Sequence, residues 1–394
     1  MNNEYQDITQ HEIEALKFEY NLADAHTHQS QSPSQNKIVD SLPDLWRDSE
    51  KKKQAELEEK FIKTFFEAHR QKVALQTPTM LEYSASMGMV IIANYLMKKK
   101  MSVALIDPCF DNIHDILKHM AVPTESLKEE WLHDPETIYE NLKNNVKADA
   151  LFIVDPNNPT GFTLTGSAQN PETTMKGFLE VFRYVKDHNK LLIFDFCFAS
   201  FLLPGTELGI FEIYEYLEKS GVSYITIEDT GKTWPLQDTK VALLKTSKNL
   251  HDEIYSIHTS YLLNVSPFIL NLVTQYVLDS IKDDFASVKD LLNRNRKIVQ
   301  DVLAGSLLEF QRPKADVGVA WFKIRNPQIK ASDLQKEILK EGVYVLPGTY
   351  FFWSDRLRGE SYIRLALARN TDILEPAVKL IRKALDKYES EISN

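Results

Sequence analysis

The sequence predicts an α/β protein: a large domain with a mostly parallel sheet, followed by a smaller C-terminal α+β domain. Three observations predict this. Five short β-rich apolar runs, SVALID at 102–107, ALFIVD at 150–155, LLIFD at 191–195, SYITIED at 223–229 and VALLKT at 241–246, read as strands buried on both faces. Helical stretches at 171–189 and 210–220 separate the earlier runs, as expected when each parallel partner is reached by a crossover. The chain has 394 residues, about twice the usual domain length, which leaves room for a second unit.

The elements follow in order. Residues 1–36 form a polar arm rich in Gln, Ser and His, a composition expected of a mobile segment. Between 45 and 71, Leu57, Phe61, Phe65 and Phe66 recur at helical spacing among dense charges and predict an amphipathic helix. The large domain is expected over 37–290 and carries the five strands. A helical region at 266–304 leads into the small domain, 291–394, with strands at 318–324 and 362–368 and a final helix from 371. No heptad array or longer internal repeat is visible.

Composition excludes several function classes. With 43% apolar and 26% charged residues the chain is an ordinary globular one, too apolar for a disordered linker. A net charge of -10 repels phosphate backbones, and the triplets Lys51–Lys53 and Lys98–Lys100 are too short to reverse that, so no nucleic-acid partner is expected. Cys109 and Cys197 cannot form a disulfide framework and the first residues are polar, which fits a cytoplasmic protein. The most apolar window, 260–278, is broken by Asn264, Pro267, Asn271 and Gln275, so no membrane span is expected.

In open α/β sheets the ligand site lies beyond the carboxyl ends of the strands. After ALFIV comes Asp155-Pro-Asn-Asn158-Pro-Thr-Gly161, a rigid turn that is otherwise an ordinary loop. LLIF ends on Asp195, a carboxylate that burial penalises unless a cation or strong donor faces it. SYITIE leads into Asp229-Thr230-Gly231-Lys232, where burial of the amine would favour a Schiff base, although most lysines are merely solvated. Asn158, Asp195 and Lys232 fall on three successive strand ends at equal intervals of 37 residues, and Lys240 follows.

In this combination the chain resembles the fold-type I pyridoxal phosphate (PLP) enzymes, specifically the class I/II aminotransferase superfamily. The resemblance implies PLP held covalently on Lys232, which also moves protons as general base; Asp195 on the pyridine nitrogen; and Asn158 on the phenolic oxygen. It implies a phosphate site from Ser84, Ala85 and Ser86 at a helix start with Thr230 and Lys240, and further cofactor contacts from Phe110, stacked on the ring, and Cys197. The alternative reading of the serines is helix capping, and that of Phe110 is core packing. Arg364 in YIRLALAR would grip the substrate α-carboxylate, with Arg369 the nearby alternative. Two positions depart from the superfamily pattern. Phe198 stands where a tyrosine is usual, and Lys240 where the phosphate-binding arginine is usual.

Over nearly its whole length the chain also resembles the PLP-dependent L-arginine oxidases, hydroxylases and desaturases. The segments that carry this are NLADAHTHQSQSPSQ with Thr9 and Glu12, then LPDLWRDSE, DPCFDNI, DPNNPTG, IEDTGKTWP and IRLALAR. The resemblance implies a homodimer whose arm closes over L-arginine, with Thr9, Glu12, Asp24 and Asp229 as substrate contacts and His26 as a catalytic group. It also implies dioxygen as co-substrate, no metal, and release of ammonia and hydrogen peroxide with a 4-hydroxylated or unsaturated 2-ketoarginine, in natural-product biosynthesis. Two other readings stay open: a conventional aminotransferase, which Phe198 disfavours, and a metal-dependent hydrolase using the Asp24, His26 and His28 string.

Overall fold

The computed structural model describes residues 7–167, 169–202 and 212–392. The arm contributes helix α1 (Ile8–Ala15) and a short strand β1 (Tyr20–Asn21). The central sheet is built from β2 (Thr79–Glu82), β3 (Val103–Asp107), β4 (Thr124–Lys128), β5 (Ala150–Val154), β6 (Leu191–Asp195), β7 (Tyr224–Asp229) and β8 (Ala242–Thr246). Their spatial order is β2-β8-β7-β6-β5-β3-β4. From β4 to β7 every pairing is parallel, and only β8 runs against its neighbours. This is the predicted fold class. β3, β5, β6, β7 and β8 are buried along their whole length, which is why they read as unbroken apolar runs.

Two strands of this sheet carry no such signal. β2 (TMLE) has only four residues, and β4 (TESLK), on the other edge, buries Leu127 alone. The small C-terminal sheet contains β9 (Leu308–Gln311), β10 (Val319–Ile324), β12 (Leu346–Pro347) and β13 (Tyr362–Ala366) in the order β12-β13-β10-β9, all antiparallel, while β11 (Val343–Tyr344) pairs with β1 of the arm.

Several expectations are corrected. The amphipathic helix expected over 45–71 is two helices, Leu42–Lys51 and Gln54–Ala68, and the second buries Leu57, Phe61, Phe65 and Phe66 as its spacing requires. The region 266–304 is likewise two helices, Pro267–Lys282 and Ala286–Leu303, separated where Asp284 and Phe285 take left-handed backbone angles (φ 52° and 60°). The helix expected at 210–220 is seen as Ile213–Ser220, and residues 210 and 211 lie outside the described residues. The expected domain boundaries are not among these corrections: position 290 lies on helix Ala286–Leu303 and position 36 on helix Pro33–Asp40. Among the described residues no helix is long and apolar enough to cross a membrane.

The described part of the arm is docked rather than loose. Asp7 caps α1 by accepting from the Gln10 amide at 2.7 Å, and Asp111 accepts from the Ile8 amide at 3.1 Å. The His11 ring lies between the Tyr344 and Tyr350 hydroxyls, 2.7 and 2.8 Å away. Arg369 holds the rest. Its guanidinium donates to the carbonyls of Asn21 (2.7 Å), Asp24 (2.6 Å) and His26 (2.9 Å), and burial lowers its pKa only to about 10, so it remains cationic at neutral pH.

Candidate active site

The carboxyl ends of β5, β6 and β7 open into a cavity of about 270 Å³. Asn158, Asp195 and Lys232 come from those strand ends, the last as the chain turns out of β7. Asp229, Cys197 and Phe198 flank them. Ser84, Ala85 and Ser86 enter from the start of helix Ala85–Lys99, Phe110 from the loop after β3, and Lys240 from the segment before β8. The arm supplies Thr9, Glu12 and His26. Of the site residues named from the sequence, only Asp24, Thr230 and Arg364 lie behind the wall.

Each wall residue has a physical setting. Burial raises the Asp195 carboxyl, as does the charge of Asp229, while the thiol and amide of Cys197 and the Lys232 ammonium oppose the rise; the Cys197 amide donates to it at 2.8 Å. A buried carboxylate so placed favours a cation in the cavity. Lys232 makes no hydrogen bond or ion pair among the described residues. Ser84 caps its helix, its hydroxyl accepting from the Met87 amide at 3.3 Å, so the capping role holds for it; the helix N-terminus behind it faces the cavity. Lys240 packs over Gly231, where a Cβ would come within 2.7 Å of the lysine Cδ and 3.0 Å of Asp229 Oδ1.

The arm's polar groups form a connected set. Asp24 Oδ1 is 2.6 Å from His26 Nδ1, and its Oδ2 is 2.5 Å from His28 Nε2. Burial alone would raise the Asp24 carboxyl, but the bonds from the two histidines and the charge of Lys232 hold it well below the usual carboxylate range. An ionised carboxylate only accepts, so His26 carries its proton on Nδ1 and presents the Nε2 lone pair to Lys240 Nζ, 2.9 Å away. Asp24 thus orients His26, and its expected contact to substrate stays an expectation. Among the described residues no group of three or more His, Cys, Asp and Glu side chains could hold a metal ion, and the Asp24, His26 and His28 string is knit by its own hydrogen bonds.

The other two residues behind the wall are also explained. The Thr230 hydroxyl accepts from the Val241 amide at 2.9 Å, which ties the turn to β8 and leaves its own proton to donate. Arg364 is fully buried and donates to Asn158 Oδ1 at 3.2 Å and Glu12 Oε1 at 3.1 Å. Asp229 lines the cavity, but its two oxygens accept from the backbone amides of Ala85 and Gly231. Sequence reading missed His11 altogether. It treated Arg369 as an alternative carboxylate binder, whereas the structure makes it the clamp of the arm.

The sequence model for aminotransferase class I and II matches residues 50–381. The chain belongs to that family. A structure of MppP soaked with the product 2-ketoarginine superposes with a TM-score of 0.82 at 28% identity, covering 93% of this chain and 99% of that one. Aspartate aminotransferase from Thermus thermophilus with maleate gives a TM-score of 0.75 at 14% identity over 96% and 97% of the two chains, a likeness of fold. Among curated relatives, LL-diaminopimelate aminotransferase from Maridesulfovibrio salexigens is 25% identical over 60% of this chain and 57% of its own length, so the match spans little more than half of that relative. Aspartate aminotransferase from Pyrococcus horikoshii is 24% identical over 76% of this chain and 73% of its own.

Membership of this family implies PLP, and the cavity fits that cofactor. A lysine unpartnered among the described residues, a buried carboxylate and a helix N-terminus beside Lys240 are the groups that an aldehyde, a pyridine nitrogen and a phosphate require. Gly231→Ala is expected to push Lys240 off its seat and weaken PLP affinity about tenfold, roughly 1.4 kcal/mol and near the low end of an overpacking cost. Spectrophotometric titration of the apoprotein with PLP measures it.

Proposed function

We propose that the chain oxidises L-arginine with PLP and dioxygen, releasing ammonia and hydrogen peroxide and yielding a 4-hydroxylated or unsaturated 2-ketoarginine, as a homodimer and in natural-product biosynthesis. The observation that carries this reading is that the arm's Thr9, Glu12 and His26 line the same cavity as Lys232. The likeness to MppP supports it, as does Phe198, which brings an apolar ring to the wall where the superfamily's tyrosine hydroxyl would stand.

When bound, PLP supplies an electron sink for the α-carbon. Of the residues lining the cavity, Lys232 would carry it and take the α-proton, Asp195 would keep the pyridine nitrogen protonated, Asn158 would serve the phenolic oxygen, and Phe110 and Cys197 would flank the ring. The helix start at Ser84 to Ser86 and Lys240 hold the phosphate. Arg364 takes the α-carboxylate. Glu12 faces the guanidinium, and Thr9 and Asp229 complete the wall around it. His26 is fixed by Asp24, and once Lys240 leaves its Nε2 for the phosphate that lone pair would position a water or receive a proton. Asp24→Asn is expected to cost about 2 kcal/mol, roughly thirtyfold in kcat, the scale of one charge-assisted hydrogen bond, with PLP affinity unchanged. Steady-state kinetics beside a PLP titration separates the two effects.

The second reading is a conventional aminotransferase, favoured by the curated relatives and by the paired Asn158 and Arg364. Oxygen consumption by PLP-loaded protein with L-arginine and no keto acid decides between them. Uptake with peroxide and a keto product is expected, and the product mass distinguishes hydroxylation from desaturation. Turnover only after a keto acid is added would establish the aminotransferase.

A further inference from the structure

The Glu12 carboxylate occupies a guanidinium that the proposed function needs for the substrate. Arg364 is fully buried, and its donors go to Glu12, Asn158 and the Ala23 carbonyl, with Nε unpartnered among the described residues and the Phe351 ring 5.0 Å from the guanidinium carbon. Glu12 is itself only 8% exposed. The pair is neutral as it stands. A ligand carboxylate arriving at Arg364 must displace Glu12 and so leave a buried anion, whose desolvation is costly unless a cation re-pairs it. The cations lining the cavity, Lys232 and Lys240, are those the proposed function commits to the cofactor.

We propose that substrate binding is an exchange of ion-pair partners, in which the ligand's α-carboxylate takes Arg364 from Glu12 and the released Glu12 carboxylate takes the ligand's distal cation. This rests on the proposed arginine reading and adds a rule of selectivity to it. A ligand with a carboxylate and no cation strands Glu12, and a ligand with a cation and no carboxylate leaves Glu12 on Arg364. Only an amino acid carrying both charges ends with both buried groups paired. Selectivity for cationic amino acids then comes from the cost of breaking the Glu12–Arg364 pair as much as from any contact to the side chain.

The exchange predicts opposite effects of one substitution on two ligands. In Glu12→Gln no ion pair has to be broken, so L-citrulline, the neutral analogue of arginine, should bind about tenfold tighter than it does to the unaltered protein, while L-arginine binds at least about tenfold more weakly. Glu12→Ala should shift both in the same directions, and Glu12→Asp should restore part of the discrimination. The measurement is anaerobic titration of PLP-loaded protein with each amino acid, read by the cofactor's visible absorbance. If Glu12 were a simple side-chain contact, citrulline affinity would be unchanged or weaker in both Gln and Ala variants, and that result overturns the exchange. Failure of the oxidase reading is a separate outcome: opposite shifts in the titrations together with no oxygen uptake on arginine would retain the exchange and reject the oxidation.

Discussion

Replacing Lys232 by alanine is expected to abolish covalent PLP attachment and lower turnover by about 10⁴-fold or more, because one side chain carries both the nucleophilic and the proton-transfer role. The fold should survive the change. Among the described residues Lys232 has no hydrogen bond or ion pair to lose, and the turn that presents it is held by other groups: Asp229 accepts from the Gly231 amide, and Thr230 is bonded to Val241. The loss should therefore appear in the cofactor's visible absorbance and in kcat, with thermal stability of the apoprotein nearly unchanged. Retained absorbance with full turnover would reject Lys232 as the attachment point and, with it, the proposed chemistry.

Asp195→Asn is the second large effect. Its carboxylate ends β6, is buried, and accepts from the Cys197 amide at 2.8 Å. Asparagine preserves that bond and the side-chain volume but removes the charge that would hold a proton on a pyridine nitrogen. Loss of one preorganised electrostatic group typically costs about 10²-fold to 10³-fold in kcat. The expected result is a fall of that size with the cofactor still bound, measured by steady-state kinetics on fully loaded protein; Asp195→Glu should recover part of the rate. An Asp195→Asn protein with normal kcat would remove this residue from the site.

Legibility differed sharply between parts of the molecule. The buried parallel strands were plain because both faces of each must be apolar, so β5, β6 and β7 announce themselves, and the polar residues that follow them stand out by contrast. Asn158, Asp195 and Lys232 were named on that basis together with the resemblance, and they line one cavity. The edge strand β4 was not legible, since it buries a single side chain and its pairing with β3 is supplied from the neighbouring chain segment. Nor was the break near Asp284 and Phe285, where no glycine or proline marks the left-handed turn.

The arm shows the same limit in its polar groups. Its composition reads as mobile, yet β1 pairs with β11, and Arg369, some 343 to 348 residues away along the chain, bonds three of its carbonyls. Asp24 anchors two imidazoles, a pairing its place in the sequence does not announce. By itself the sequence determined the α/β class, most of the central sheet, the family, and the residue types available at the strand ends, because apolar periodicity and turn chemistry are local properties of the chain. Only the tertiary structure decided the partners of the charged groups: Glu12 with Arg364, Asp24 with His26 and His28, Lys240 with His26. A buried charge must be satisfied by whichever donor or acceptor folding brings within about 3 Å, and the distance along the chain to that group carries no signal.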